Sequence, residues 1–223
     1  MSLDIEKYAV DYHFASTIHR AKEPQFLSTV KPVFDEYVQK IKNNSPPQSP
    51  VYPAILTELI SSDERLHEFV QYVSNISWDV LNSQGYNMDL FYTNTSEIYG
   101  QHHPYTSNME QHIHGLDVQL CGFYFIDTPP DSSSLIIHDP RSAKVYAGLP
   151  ERKADSINSA HNMIYYNPAP GDLIFTNPWL AHSFTRNQSQ QPYNFIHINV
   201  RVEYREDRIT LRDNIQLSGP III

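Results

Sequence analysis

Three histidines are spaced as the ligands of a metal ion would be. His112 and His114 are separated by one residue, and side chains at positions i and i+2 of a β-strand point to the same side of a sheet. His182 follows the strand-like segment 171–175, and a late strand of a β-barrel can return beside an early one. Asp117 would point away from the pair, so it is an alternative ligand or an outer hydrogen-bonding partner. The residues therefore predict a metal site of His112, His114 and His182.

Imidazole ligands limit the chemistry of such a site. Three imidazoles suit iron(II), zinc, copper or nickel, while many non-haem iron oxygenases use two histidines and one carboxylate. The chain contains eleven histidines, so a single His-x-His pair can also arise by chance, with solvent-exposed or hydrogen-bonded rings. We expect His102 and His103 in an exposed loop or at the rim of a pocket. His138 is expected at a strand end, without a metal.

A β-rich segment after residue 88 would have to position these histidines. Runs of β-branched and aromatic residues alternate there with turn-rich segments that contain proline, serine and asparagine. The predicted strands are 90–93, 118–126, 135–137, 163–166, 172–176 and 194–204. Many short strands without intervening helices predict a mainly β fold, a barrel or a two-sheet jelly roll.

The first 88 residues are predicted to be mostly helical. Apolar residues recur at helical spacing from Val30 to Ile41, and the proline-rich run 43–50 interrupts the pattern. A second helix would begin at the capping sequence Ser61–Glu64 and end near Gly85. We predict one domain over residues 1–223, in which this helical part packs outside a jelly-roll core of residues 89–210.

Composition excludes some classes of partner and compartment. A formal net charge of -9 disfavours a protein that coats nucleic acid or an anionic membrane, because both need a dense cationic face. The single cysteine, Cys121, cannot form an intrachain disulfide, and it is expected to be a small buried residue. No signal peptide and no membrane-spanning run is evident, so a cytoplasmic location is expected.

Residues 97–202 resemble a family of 2-oxoglutarate/iron(II)-dependent oxygenases common in marine phages and bacteria. Three segments, in matching order and spacing, carry the resemblance. They are the His-x-His pair leading into Cys121–Phe125, the apolar segment Leu135–Arg141 that ends in Asp-Pro-Arg, and the segment Gly171–His182 that ends in Trp-Leu-Ala-His. The resemblance implies a double-stranded β-helix fold, which is a variant of the jelly roll. It also implies iron(II) held by the pair and by His182, with 2-oxoglutarate as co-substrate.

The resemblance also exposes two departures from the family pattern. His114 stands where many relatives of the wider superfamily have aspartate, and Tyr193 stands where relatives have an arginine. That arginine clamps the distal carboxylate of 2-oxoglutarate in a bidentate contact, whereas tyrosine supplies one hydrogen bond and no charge. Residues that could contact the co-substrate instead are Tyr124, Arg141, Tyr193, His197 and Arg201, with Arg186 a further candidate.

The function implied is coupling of 2-oxoglutarate decarboxylation to hydroxylation of a small-molecule or peptide substrate. One alternative is a cupin-like metalloenzyme that does not use 2-oxoglutarate, which a missing clamp would favour. Another is a non-catalytic jelly-roll binding module, because a fold by itself does not fix a function. An arginine or lysine directed into the pocket opposite the metal would favour the oxygenase.

Overall fold

Two antiparallel sheets form the body of the protein. The computed structural model describes residues 9 and 11 and residues 13–44, 53–150 and 157–206. Over these residues the strands are β1 (Ile18–Lys22), β2 (Ile55–Leu59), β3 (Phe91–His103), β4 (Met109–His112), β5 (Leu120–Asp127), β6 (Leu135–His138), β7 (Met163–Tyr166), β8 (Asp172–Thr176), β9 (His182–Phe184) and β10 (Tyr193–Tyr204). The helices are α1 (Leu27–Asn44), α2 (His67–Ser83) and the short α3 (Ser142–Ala147).

The strand order is that of a jelly roll. The larger sheet has the order β1-β8-β5-β10-β3-β2, and the smaller sheet has the order β4-β9-β6-β7. Every pairing is antiparallel, and sequence neighbours are often separated in the sheets, so the chain crosses repeatedly between the two layers. The predicted mainly β, double-stranded β-helix fold is confirmed.

The larger sheet is covered on both faces, which explains the continuous apolar runs of its central strands. In β5 every residue from Leu120 to Ile126 is buried. One face packs against α1 and α2, where Phe34 and Phe69 join Tyr124 and Ile198 in a single apolar cluster. Strands that alternate apolar and polar residues would leave one face in water, so this run predicts a strand buried on both sides.

The opposite face of the larger sheet meets the smaller sheet. The cluster between them is dominated by aromatic rings and contains Cys121, Phe123, Phe125, Leu135, Ile137, Ile174, Leu180, Phe184, Tyr193 and Phe195. The last strand alternates between the two clusters, because Tyr193 and Phe195 enter this inner cluster while Ile196 and Ile198 enter the outer one. The inner cluster is the layer into which the strands direct the candidate metal ligands.

The ends of α2 follow from local sequence signals. A short 3-10 helix (Glu64–Leu66) precedes it, and the Asp63 side chain accepts a hydrogen bond from the Arg65 backbone N–H at 3.0 Å. The Asp63 carboxylate therefore caps the start of this region. Gly85, predicted to end the helix, lies two residues beyond Ser83 with a φ of +94°, a conformation that glycine adopts without steric cost.

The N-terminal part contributes more than helices. Strands β1 and β2 lie at the two edges of the larger sheet, and neither was predicted. Strand β3 was predicted to end at residue 93 but runs to His103. The expected exposed loop at His102 and His103 is therefore wrong, because pairing with β10 buries both rings. The C-terminal SGPIII segment lies outside the described residues.

Candidate metal centre

The structure brings His112, His114 and His182 together. One ligand atom from each ring lies within 4.8 Å of the others, which is close enough for a shared ion. The ring centroids of His112 and His182 are 4.5 Å apart, and those of His114 and His182 are 5.2 Å apart. The cause is strand pairing: His112 of β4 is directly opposite His182 of β9.

The sequence placed His112 and His114 on one strand, and the structure differs for His114. Strand β4 ends at His112, so His114 lies just beyond the strand rather than in it. The backbone N–H of His114 donates to the carbonyl of Pro178 at 2.9 Å, which ties this segment to the loop before His182. Leu116 and Asp117 then adopt positive φ angles of 54° and 68°, a conformation incompatible with a strand. His114 is held by this loop contact instead of by sheet register.

Backbone hydrogen bonds orient two of the rings. Nδ1 of His112 lies 2.8 Å from the carbonyl oxygen of Glu110, and Nδ1 of His182 lies 3.2 Å from that of Leu180. A carbonyl only accepts, so each Nδ1 carries the proton and donates it. The lone pair is thereby placed on Nε2, the tautomer that a metal-binding histidine needs.

His182 carries the clearest sign of a missing partner. Its ring is fully buried, and within the described part of the chain its Nε2 atom has no hydrogen-bond partner. A buried polar atom without a partner costs about 1–3 kcal/mol. A metal ion bound to Nε2 would remove that cost, so the geometry fits a cation at this atom.

Burial keeps the ligands uncharged. Desolvation, with the neighbouring His112 as a second cause, lowers the pKa of His182 to about 3. Desolvation and His112 likewise lower the pKa of His114 to about 4. Neutral imidazole is the form that binds metals, so both rings are ready to bind near neutral pH.

Phe123 packs against the inner side of the three-histidine group, and two further phenylalanines lie behind it. The Phe123 ring lies 5.2 Å from the ring of His182 and 5.2 Å from the ring of His197, edge-on to both. Phe184 and Phe195 stack on one another at 4.7 Å behind it. These rings exclude water from one side of the three histidines and limit their rotation.

Two further potential ligands adjoin the centre. His197 stacks on His114 with centroids 5.0 Å apart, and the Cys121 sulfur lies 3.5 Å from Nε2 of His114. Cys121, His114 and His197 form a second group whose ligand atoms lie within 4.8 Å of one another. The sequence prediction had treated Cys121 as a small apolar residue. His197 was predicted only as a contact of the co-substrate, and it lies beside His114 because alternate residues of β10 share one face of the sheet.

The remaining candidates from the sequence lie apart from the three histidines. Asp117 is exposed and belongs to neither ligand group found among the described residues. Tyr124 points into the outer cluster, where its hydroxyl donates to the carbonyl of Glu23 at 2.9 Å. Arg186 is exposed on the loop after β9. None of these side chains faces the inner cluster.

The two other arginine candidates are held by carboxylates. Arg141 donates from Nε and Nη2 to the Asp139 carboxylate at 2.9 and 2.8 Å, which makes the Asp-Pro-Arg segment a turn closed by its own ion pair. This contact and the turn's backbone lower the pKa of Asp139 to about 2. Arg201 lies at the far end of β10, 2.9 Å from the Glu97 carboxylate.

Tyr193 is the one candidate that enters the inner cluster at the start of β10. It is fully buried, its ring packs on Phe125, Phe184 and Phe195, and its hydroxyl is without a hydrogen-bond partner in the described ranges. Burial raises its pKa well above the usual range, so the hydroxyl keeps its proton. It is a buried donor directed into an apolar layer.

A pocket of about 500 Å³ opens beside the smaller sheet. Its walls include Ile137 of β6, Leu180, the Asp139–Arg141 turn and the N-terminal segment 13–16. Ile137 pairs with His182 across the sheet, so the pocket borders the strand that carries the buried ligand. The volume lies within the range of small-molecule sites, about 300–1,000 Å³.

The jelly-roll fold brings together three imidazoles that could hold one metal ion. Residues 101–199 match the sequence profile of a family described as "Putative 2OG-Fe(II) oxygenase". The matched segment contains all three histidines and excludes the helical N-terminal part. The match makes this segment similar to 2-oxoglutarate- and iron(II)-dependent oxygenases.

Solved structures support the fold. A prolyl-4-hydroxylase from Pseudomonas putida aligns over 82% of this chain and 91% of its own, with 10% identity and a TM-score of 0.54. A prolyl hydroxylase from Trichoplax adhaerens, in complex with a hypoxia inducible factor peptide, aligns over 87% and 86%, with 12% identity and a TM-score of 0.53. HygX from Streptomyces hygroscopicus, with nickel and 2-oxoglutarate bound, aligns over 83% of each chain, with 10% identity and a TM-score of 0.51.

Two other comparisons complete the description. A search of curated protein sequences gave no match. Among the described helices, none combines the length and the apolar character that a membrane span requires.

Proposed function

We propose that this protein is a non-haem iron(II) oxygenase that couples 2-oxoglutarate decarboxylation to hydroxylation of a second substrate. The observation that carries the proposal is the convergence of His112, His114 and His182, in which the buried Nε2 of His182 has no hydrogen-bond partner among the described residues. Iron(II) bound there would supply the position at which the 2-oxoacid and oxygen meet. The protein supplies orientation, a low dielectric and exclusion of water.

The chain's own residues prepare the centre before any ion binds. Carbonyls of Glu110 and Leu180 fix the tautomers of His112 and His182, and Phe123 restrains the His182 ring. Outer contacts of this kind typically change metal affinity by about 10–100-fold. The hydrogen bond from His114 to Pro178 keeps the third ligand beside the other two.

The two departures from the family pattern offset each other in charge. Histidine at position 114 in place of aspartate removes one negative charge from the ligand set. Tyrosine at position 193 in place of arginine removes one positive charge from the far end of the co-substrate site. The dianionic 2-oxoglutarate would therefore meet the same total charge, with the attraction concentrated at the ion instead of at the clamp.

Tyr193 is our candidate for the contact with the distal carboxylate. Its protonated, partnerless hydroxyl can donate one charge-assisted hydrogen bond, and such bonds contribute about 1.5–3 kcal/mol. Replacement Tyr193→Phe removes this donor and little volume. We expect KM for 2-oxoglutarate to rise roughly 10- to 150-fold, while the variant stays folded.

A second candidate function is a three-histidine metalloenzyme that does not use 2-oxoglutarate. The crowding of Tyr193 by Phe125, Phe184 and Phe195 favours it, because a bound co-substrate would have to displace these rings. Anaerobic titration of the iron(II) protein with 2-oxoglutarate, followed by assay of succinate in air, separates the two. Binding and succinate formation that are lost in His182→Ala support the oxygenase, and metal binding without either supports the alternative.

The substrate is proposed to be a small molecule or a peptide held in the pocket beside β6. The T. adhaerens protein was solved with a peptide, and the pocket here has the size of a small-molecule site. The cytoplasmic location and the phage or bacterial origin stay predictions from the sequence.

A further inference from the structure

The group formed by His114, Cys121 and His197 has the composition of a metal site of its own. The Cys121 sulfur lies 3.5 Å from Nε2 of His114 and 3.6 Å from Nε2 of His197. Cys121 and His197 project from neighbouring strands, because β5 and β10 pair with Asn199 opposite Cys121. Sheet register therefore directs the thiol and the His197 imidazole to one volume, and the loop contact of His114 with Pro178 brings the second imidazole there.

Packing alone gives no reason for the His197 imidazole to lie there. Cys121 is fully buried and His197 is 1% exposed, beside the apolar ring of Phe123. Nε2 of His197 contacts Asn199 Oδ1 at 3.2 Å as well as the Cys121 sulfur, and its Nδ1 is without a partner among the residues that the structure describes. Apolar side chains would satisfy the same positions at lower cost, since an unpartnered buried polar group is destabilising.

We propose that His114, Cys121 and His197 form a second cation position, with a thiolate ligand, that is an alternative to the three-histidine position. A thiolate selects borderline or soft cations such as zinc(II), cobalt(II) or copper(I), whereas iron(II) is also bound well by imidazoles. Binding breaks the S–H bond of Cys121 and forms a metal–sulfur bond, and the proton leaves to solvent. No oxidation takes place.

The two positions compete because they share one ring. His114 lies between the groups, with its centroid 5.2 Å from that of His182 and 5.0 Å from that of His197. A neutral imidazole has a single lone pair for a metal, so His114 serves one ion at a time. An ion at the thiolate position therefore removes a ligand from the three-histidine position. This competition rests on the proposed function, whereas the thiolate position itself does not.

Cobalt(II) titration of the metal-free protein tests the proposal. Thiolate-bound cobalt(II) gives a sulfur-to-metal charge-transfer band, and Cys121 is the only cysteine of the chain, so a band reports this residue. His112→Ala disables the three-histidine position alone, and we expect a stronger band per added cobalt than in the unaltered protein. Cys121→Ser should show no band, and His197→Gln should need at least roughly tenfold more cobalt, since loss of even an outer partner of a ligand costs about 10–100-fold.

Two outcomes overturn the proposal. The absence of a band in both the unaltered protein and His112→Ala removes the thiolate position. Loss of the band in His112→Ala, when circular dichroism shows that the variant is folded, makes Cys121 part of a single site with His112. Manganese(II) binding by Cys121→Ser, measured by electron paramagnetic resonance, reports the three-histidine position separately, so failure of the proposed oxygenase site is distinguishable from failure of this one.

Discussion

Replacement of His182 by leucine should separate the stability of the metal-free protein from its response to metal. His182 is fully buried, and its Nε2 has no partner in the described chain. Removing that atom recovers about 1–3 kcal/mol, and losing the 3.2 Å hydrogen bond to Leu180 costs about 0.5–1.5 kcal/mol. Leucine is close to histidine in volume, so little cavity forms. We expect metal-free His182→Leu to be more stable than the unaltered protein by about 1 kcal/mol.

Metal should reverse this order. At a free manganese(II) concentration of 100 times Kd, a ligand that binds only the folded state adds about 2.7 kcal/mol. For a chain of this size that corresponds to a rise in Tm of about 5–11 °C in the unaltered protein. His182→Leu should shift by less than about 2 °C at the same concentration, because only two of the three imidazoles remain. Manganese(II) is chosen because it has little preference for the Cys121 thiolate.

The measurement is thermal unfolding followed by circular dichroism, with and without manganese(II), at a pH near 7.5. Ile137→Val is the matched control, since it trims a buried residue opposite His182 without touching a candidate ligand, and it should keep the full metal response. A His182→Leu protein that gains as much from manganese(II) as the unaltered one would refute the placement of the ion at His182. A metal-free variant several kcal/mol less stable would refute the argument about the partnerless nitrogen.

Three further outcomes are expected. Burial lowers the pKa of His103 to about 4 in the folded state, so the unfolded chain binds more protons at this residue between about pH 6.5 and 4. His103 alone should therefore contribute a loss of metal-free stability on the order of 3 kcal/mol as the pH is lowered through that window. Urea titrations of His103→Asn should show a fall that is smaller by about this amount, with the remainder due to other histidines with a lowered pKa, such as His114 and His182. Gly122→Ala should lower the free energy of unfolding by about 1–3 kcal/mol, because a Cβ there would lie 2.7 Å from the Phe175 ring, whereas Gly115→Ala, with nothing within 4 Å, should leave it almost unchanged. Gly171→Ala should be destabilising as well, since the φ of Gly171 is +87° and a Cβ there would lie 2.6 Å from the backbone of Pro24. Equal urea midpoints for all three glycine variants would contradict the packing described.

Sequence patterns alone were sufficient for the fold class and for much of the metal centre. Runs such as Leu120–Ile126 are too apolar for a sheet with one wet face, and the last strand alternates residues between two cores. The His-x-His spacing and the segment before His182 named the three rings that the structure brings together. Local periodicity is enough for the strands, because strand geometry fixes which side chains share a face, but His114 lies beyond β4 and reaches the group through its loop contact with Pro178.

Tertiary structure decided what depends on contacts between distant segments. Strands β1 and β2 exist because edge positions of the larger sheet accept them, and β3 extends to His103 because β10 pairs with it. The second ligand group arises where the register of β5 against β10 places Cys121 beside His197, while a loop contact brings His114 to both. No spacing along the chain encodes that meeting, because sheet register is set by which strands pair and by the whole core that they enclose.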